Sequence, residues 1–250
     1  MLLAVDIGNS DTKFGIYDGE SLVHKFRIPT QRGHAAFHFA SHFDNLKYSI
    51  TEALVCSVVP EINEAIVEQI HKELGVEAML VTNDLDYGLE IRYEPLLAAG
   101  TDRLVNVFSA AERYGAPCIV CSFGTAFTID VVNEHRVLLG GLIAPGMETM
   151  SKSLKLSTAK LPEVAIQKPA SAIQNTTTGS IQSGIVYGYF GLATSLIARV
   201  KNEFSTKAKV IATGGFAMMI SQNIDNIDIV DENLLLDGLM HLQKRFTRHR

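Results

Sequence analysis

Cysteine, surplus basic charge and long apolar runs are all scarce in this 250-residue chain. The three cysteines, Cys56, Cys118 and Cys121, sit in apolar, strand-like stretches. An odd number there argues against a disulfide framework and suits a reducing compartment. Cys118-x-x-Cys121 has no second pair and no helix start behind it, so it reads as core and not as half of a zinc or redox site. With a net charge of −5, the chain carries no electrostatic footprint for non-specific DNA or RNA binding. The one basic cluster, 244–250, reads as a solvated helix end. Apolar stretches are strand-length, and no basic leader precedes the strand that starts at Leu2; the expectation is a cytoplasmic protein with no membrane partner. No linker rich in Pro, Gly or Ser divides the chain.

What is present is a repeat. Residues 2–16, LLAVDIGNSDTKFGI, read apolar strand, small polar turn, second strand, and residues 118–132, CIVCSFGTAFTIDVV, repeat the shape. The turn glycines, Gly8 and Gly124, lie 124 − 8 = 116 positions apart, close to half the chain. Such a pair predicts a duplicated domain with a nucleotide phosphate chain between the copies, divided as 1–115 and 116–250. Each copy continues its hairpin into a third strand (21–28 and 137–142). In the first, strands follow at 53–59 and 78–81 with an amphipathic helix over 61–74 between them. In the second, helices are predicted to 156 and over 180–204, with an irregular segment at 157–175 and a strand at 209–212. Strands alternating with helices after a three-strand meander predict mixed sheets covered by helices. A further helix over 35–45, with His34, His38 and His42 on one face, reads as a polar face and not as a metal stripe.

Where the first copy has Asp6, the second has Ser122. Asp6 ends a buried strand before Gly8-Asn9-Ser10, small residues that let backbone N–H groups approach a ligand. A carboxylate repels bare phosphate, so its use there is to hold Mg²⁺, directly or through water, while the turn cradles phosphates. Lys13 either neutralises phosphate charge or points outward. Gly214-Gly215 is either a plain turn or a third nucleotide-contacting one. Asp102 and Arg103 open a predicted helix. There an acid is ordinary capping, or else Asp102 is a general base and Arg103 a fork for a carboxylate or phosphate.

Taken in order, Asp6-x-Gly8-Asn9-Ser10, Ser57-Val58-Val59-Pro60, Tyr93, Gly100-x-Asp102-Arg103, Gly124-Thr125-Ala126, Ala144-Pro145-Gly146, Lys160-Leu161-Pro162, Gln182-Ser183-Gly184 and Thr213-Gly214-Gly215 closely resemble the type III pantothenate kinase family. That family belongs to the acetate kinase, sugar kinase, Hsp70 and actin superfamily, and the resemblance spans essentially the whole chain. It implies an α/β protein of two ribonuclease H-like domains (the actin-like ATPase fold) that phosphorylates the hydroxyl of pantothenate, the first step of coenzyme A synthesis. By the resemblance, Asp6, Ile7, Gly8, Asn9, Ser10, Asp11, Thr12, Lys13 and Thr125 bind ATP. Mg²⁺ accompanies the nucleotide at Asp6 through water. Tyr93, Gly100, Thr101, Asp102 and Arg103 bind pantothenate, with Asp102 the proton acceptor. Thr177, in the run Thr176-Thr177-Thr178, completes the pocket across a homodimer interface. Family members usually carry an aspartate at the place of Ser122, where it helps bind a monovalent cation, K⁺ or NH₄⁺. A serine hydroxyl offers one neutral oxygen, so weak or absent K⁺ dependence is expected. Asp130, eight residues on, is read as too distant to substitute. The alternative reading is a non-catalytic nucleotide-binding regulator, of the transcriptional accessory kind the same family includes; retention of Asp102 argues against it.

Overall fold

Six consecutive buried side chains make Leu2–Ile7 a central strand, β1, of the computed structural model, which describes residues 1–31, 49–204 and 208–248. The predicted helix over 35–45 and its histidines lie outside the described residues. Two compact units emerge, Met1–Arg113 with Asn233–Arg250, and Tyr114–Glu232.

In the first unit β1 pairs antiparallel with β2 (Asp11–Asp18), and β2 with β3 (Ser21–Pro29). On its other side β1 runs parallel to β4 (Glu52–Ser57), and β4 to β5 (Ala78–Leu80), giving the order β3-β2-β1-β4-β5. A 3-10 turn at Pro60–Ile62 leads into α1 (Asn63–Leu74), which stops at Gly75 in the left-handed region, φ 66°. Ile62, Ile66 and Ile70 pack against Leu3, Val5, Phe14 and Val55 on one face of the sheet. After β6 (Glu90–Ile91) and a 3-10 turn at Leu96–Ala98 comes α2 (Thr101–Tyr114).

The second unit repeats the plan. β7 (Cys118–Phe123), β8 (Ala126–Val132) and β9 (Val137–Pro145) form the meander. β10 (Lys209–Thr213) runs parallel to β7, and β11 (Ile229–Val230) to β10. α3 (Met147–Ser157) and α4 (Thr177–Phe204) follow β9, and α5 (Ala217–Ser221) follows β10. By length and hydropathy α4 could cross a membrane. Its Ile181, Ile185, Tyr189, Ala193 and Ile197 instead belong to the core around Phe123, Phe127 and Ile129. All three cysteines are buried and free. Burial pushes the Cys118 thiol up to about 12 and raises Cys56 and Cys121 as well, so all three stay protonated and unreactive.

One boundary differs from the division at 115 and 116. The last helix, α6 (Leu234–Arg248), returns to the first unit and packs on β1, β2 and β4. Leu234, Leu236, Leu239 and Leu242 bury themselves there. Tyr17 Oη donates to Asp237 Oδ1 at 2.6 Å, and Arg113 pairs with Asp237 Oδ2 at 2.6 Å. Gly238 admits α2 closely: a Cβ on it would stand 2.7 Å from Val105 Cγ1. Nor is the basic end of this helix simply solvated, since Lys244 pairs with Glu20 at 2.6 Å and Arg245 with Asp86 at 2.7 Å.

Candidate active site

Beginning with the first turn, the hairpin register sets Asp6 opposite Lys13, and Lys13 Nζ lies 3.0 Å from Asp6 Oδ2. Lys13 thus points in, toward the acid. Asp6 raises the lysine's pKa most, with Asp11 and Asp102 adding to the effect against burial. Gly8 N donates to Asp11 O at 3.0 Å and closes the turn. Thr30 Oγ1 donates to Gly8 O at 2.7 Å, so the 3.0 Å contact between the Thr12 and Thr30 hydroxyls has Thr12 as its donor. No local pattern marks Thr30; only the β2–β3 register brings it here. Asn9 and Ser10 are exposed, whereas Ile7 and Thr12 are fully buried.

Beside Asp6 on β4 stands Cys56, whose thiol donates to Thr101 Oγ1 at 3.5 Å. Thr101 Oγ1 donates in turn to Ser57 O at 3.0 Å, which pins the start of α2 to the end of β4. Thr101, expected to touch substrate, is buried and has its hydroxyl engaged in the fold. Asp102 folds back over the helix start: its Oδ1 accepts from Arg103 N at 2.8 Å. Gly100 makes room for this, because a Cβ there would lie 2.4 Å from Asp102 Oδ1. Arg103, 8% exposed, donates through Nη1 to Tyr93 Oη at 3.1 Å and lies 5.0 Å from the ring centroid. Tyr93, Gly100, Asp102 and Arg103 are thus gathered at one helix N-terminus.

The second turn, in the other unit, is built by close approach. Gly124 N donates to Ala126 O at 3.0 Å, and Thr125 is exposed at the tip. Gly146 N and Thr149 Oγ1 both donate to Thr125 O, at 3.0 and 2.6 Å. A Cβ on Gly146 would stand 2.1 Å from Gly124 O, and one on Gly214 2.6 Å from Phe123 O. Gly214 has φ 95° and abuts this turn, while Gly215 faces open space. Ser122 lies between Thr128 on β8 and Thr213 on β10, a row of neutral hydroxyls. Asp130 is nearer than its position in the chain suggested: it pairs with Val120, one diagonal step from Ser122, about 7–8 Å in strand geometry. Its Oδ1 lies 2.9 Å from where a Gly141 Cβ would be, which places the carboxyl toward β9.

α4 begins three residues before the predicted position, at Thr177. Thr176 Oγ1 accepts from Gly179 N at 3.1 Å and caps the helix. Thr176 and Thr177 both line a groove of about 1010 Å³ between α3 and α4, with Met150, Leu154, Leu161, Ile181 and Ile185 as its apolar wall.

Comparison with known proteins identifies the family. The family model described as type III pantothenate kinase matches residues 2–199. Proteins named type III pantothenate kinase from Geobacillus sp. and Brevibacillus brevis are 37% and 36% identical over 252 residues, covering 98% of this chain and 98% and 99% of theirs. Among solved structures, a candidate Baf family transcriptional activator from Campylobacter jejuni is 20% identical with a TM-score of 0.61, covering 98% of this chain and 99% of its own. An inorganic polyphosphate/ATP-glucomannokinase from Arthrobacter sp. is 15% identical with a TM-score of 0.52, covering 100% and 99%. These two likenesses concern the fold, the two-domain actin-like ATPase architecture. On the family match and the near full-length relatives, the chain belongs to the type III pantothenate kinase family.

Proposed function

We propose that this chain transfers the γ-phosphate of ATP to the hydroxyl of pantothenate, giving 4′-phosphopantothenate in the first step of coenzyme A synthesis. The observation that carries the reading is the helix start at Gly100, where Asp102, Arg103 and Tyr93 converge. Asp102 takes the proton of the attacking hydroxyl, and Arg103, braced on Tyr93, holds the pantothenate carboxylate. Lys13 and the turn that follows Asp6 serve the ATP phosphates, and Thr125 is assigned to ATP as well. Phosphoryl transfer needs positioning and charge stabilisation above all, so no covalent intermediate is required.

One oxygen of Asp6 is already taken by Lys13, a donor set that fits Mg²⁺ arriving with the triphosphate and held through water better than a dedicated protein cage. When bound, the ion neutralises phosphate charge. At the monovalent-cation place, Ser122, Thr128 and Thr213 supply only neutral hydroxyls, which supports weak or absent K⁺ dependence. Thr177 and the apolar groove beside it support a homodimer in which a second protomer closes the substrate pocket. The chain acts in the cytoplasm. A non-catalytic regulator is not favoured, because the relatives at 36–37% identity carry the kinase name.

Purified protein with ATP, Mg²⁺ and pantothenate should yield 4′-phosphopantothenate by mass. If no product forms under varied monovalent salts and Asp102→Asn binds nucleotide like the parent, the kinase reading gives way to the regulator.

A further inference from the structure

The supports of the Gly100 segment reach further than the residues assigned to the reaction. The first amides of α2, those of Arg103 and Leu104, donate to Gly100 O, at 3.0 and 3.2 Å. Ala99, one residue earlier, is buried, and a buried carbonyl needs a donor of its own. Asn83 supplies it: its Nδ2 lies 2.5 Å from Ala99 O and 3.1 Å from Leu96 O. The second carbonyl also accepts from Ala99 N at 3.0 Å, which closes the 3-10 turn before Gly100. A primary amide is the group suited to this place, since its NH₂ carries two hydrogens for two carbonyls.

Asn83 is itself held in place. Tyr87 Oη donates to Thr82 O at 2.8 Å, and the buried Tyr87 ring meets Phe108 of α2 edge-on at 6.3 Å. From the last helix, Arg245 donates through Nη2 to Asp86 Oδ2 at 2.7 Å and through Nε to Asp86 O at 3.1 Å. Gly88, with φ 62°, leaves the space over which that guanidinium lies. A continuous set of contacts thus runs from α6 through the 82–88 turn to the carbonyls just ahead of Gly100.

We propose that Asn83 is a positioning residue: by joining the Leu96 and Ala99 carbonyls it fixes where Gly100, Asp102 and Arg103 stand, with Arg245 bracing the turn that carries it. The role in catalysis rests on the kinase reading above. Since the 82–88 turn holds none of the groups assigned to ATP, loss of Asn83 acts on KM for pantothenate and, through Asp102, on kcat, and leaves KM for ATP alone.

The test combines steady-state kinetics with amide hydrogen exchange over residues 94–104, on the native chain, Asn83→Ala, Asn83→Asp and Arg245→Met. Both Asn83 variants should raise KM for pantothenate about tenfold, the effect of losing one or two positioning hydrogen bonds, and leave KM for ATP within about twofold. Exchange in that segment should quicken while the rest of the unit keeps its protection. Arg245→Met should act in the same direction by about two- to threefold, as befits a pair near the surface. An unchanged KM for pantothenate, unchanged exchange, or an equal rise in both KM values with loosening throughout the unit each overturns the proposal. Should the native chain make no phosphopantothenate, the kinase reading fails by itself. Exchange then still decides whether Asn83 fixes the segment, and unaltered protection in Asn83→Ala rejects it.

Discussion

In the first hairpin Asp6 faces Lys13 across the strands; in the second, the same place is held by Ser122 facing Thr128. The second turn thus has a neutral pair where the first has an acid and a cation, and Asp130, one diagonal step away, is turned toward β9. This changes the meaning of Ser122. An acid deleted opposite a retained lysine would leave an unbalanced site, whereas a serine opposite a threonine is neutral and self-consistent. Construction differs too: Thr12 and Thr30 hydroxyls hold the first turn, whereas the second adds to the Thr149 hydroxyl the close approach of Gly146 and Gly214 to its backbone. Charge is concentrated in the first unit, around Asp6, Asp11, Lys13 and Asp102.

The largest effect is expected where that charge meets the substrate. Asp102→Asn should lower kcat by about 10²–10⁴-fold, the usual contribution of a general base, while Ser122→Ala costs less than about tenfold. Initial rates of phosphopantothenate formation read both, and comparable losses would break the asymmetry between the units.

Next comes construction. Gly146→Ala should destabilise the protein by about 2–3 kcal/mol through overpacking, because its Cβ meets a backbone carbonyl at 2.1 Å. Gly8→Ala, with its nearest contact at 3.0 Å, should cost under about 1 kcal/mol. Denaturant midpoints decide, and a reversed order would mean that the first turn is the tighter one.

A third experiment copies one hairpin into the other. Lys13→Met strands the buried Asp6 carboxylate and should cost about 1–2 kcal/mol, a figure reduced because the lysine is part-exposed. Asp6→Ser combined with Lys13→Thr should cost less than Lys13→Met alone, though both weaken ATP binding. The sign with pH follows from Asp6 holding the Lys13 ammonium above its ordinary 10.5. The contribution of the pair is complete below that value and is lost as pH rises through the raised one. Stability between pH 6 and 9 should show no step from Lys13, and a step there that disappears in Lys13→Met would contradict the pairing.

The smallest effect concerns the cation. Replacing Na⁺ by K⁺ should change the native rate by less than about twofold, whereas Ser122→Asp, an acid with no opposing lysine, should acquire several-fold K⁺ stimulation. Strong K⁺ activation of the native chain would show that hydroxyls and backbone suffice.

The doubled strand-turn-strand pattern, both meanders and the order of the motifs were legible in the sequence, because strand period and turn residues are local signals. The direction of Lys13 was not, since a hairpin with one more loop residue would turn it to the opposite face. That Thr176 caps α4 was equally hidden, because any residue of a threonine run can cap a helix and only the position of the helix start selects one. Asn83 lies in a polar stretch that reads as any turn. Only folding brings it to carbonyls 13 and 16 residues away.

By itself the sequence determined two mixed α/β units, a phosphate-type turn in each, and an Asp-Arg pair opening a helix. Tertiary structure alone decided that the last helix returns to the first unit, that Arg245 reaches the 82–88 turn, and that Thr101 is an anchor. The physical reason is common to all three. An apolar stripe or a hydroxyl states that it must be buried or bonded, but its partner lies far along the chain, and the choice among partners is made by packing the whole unit.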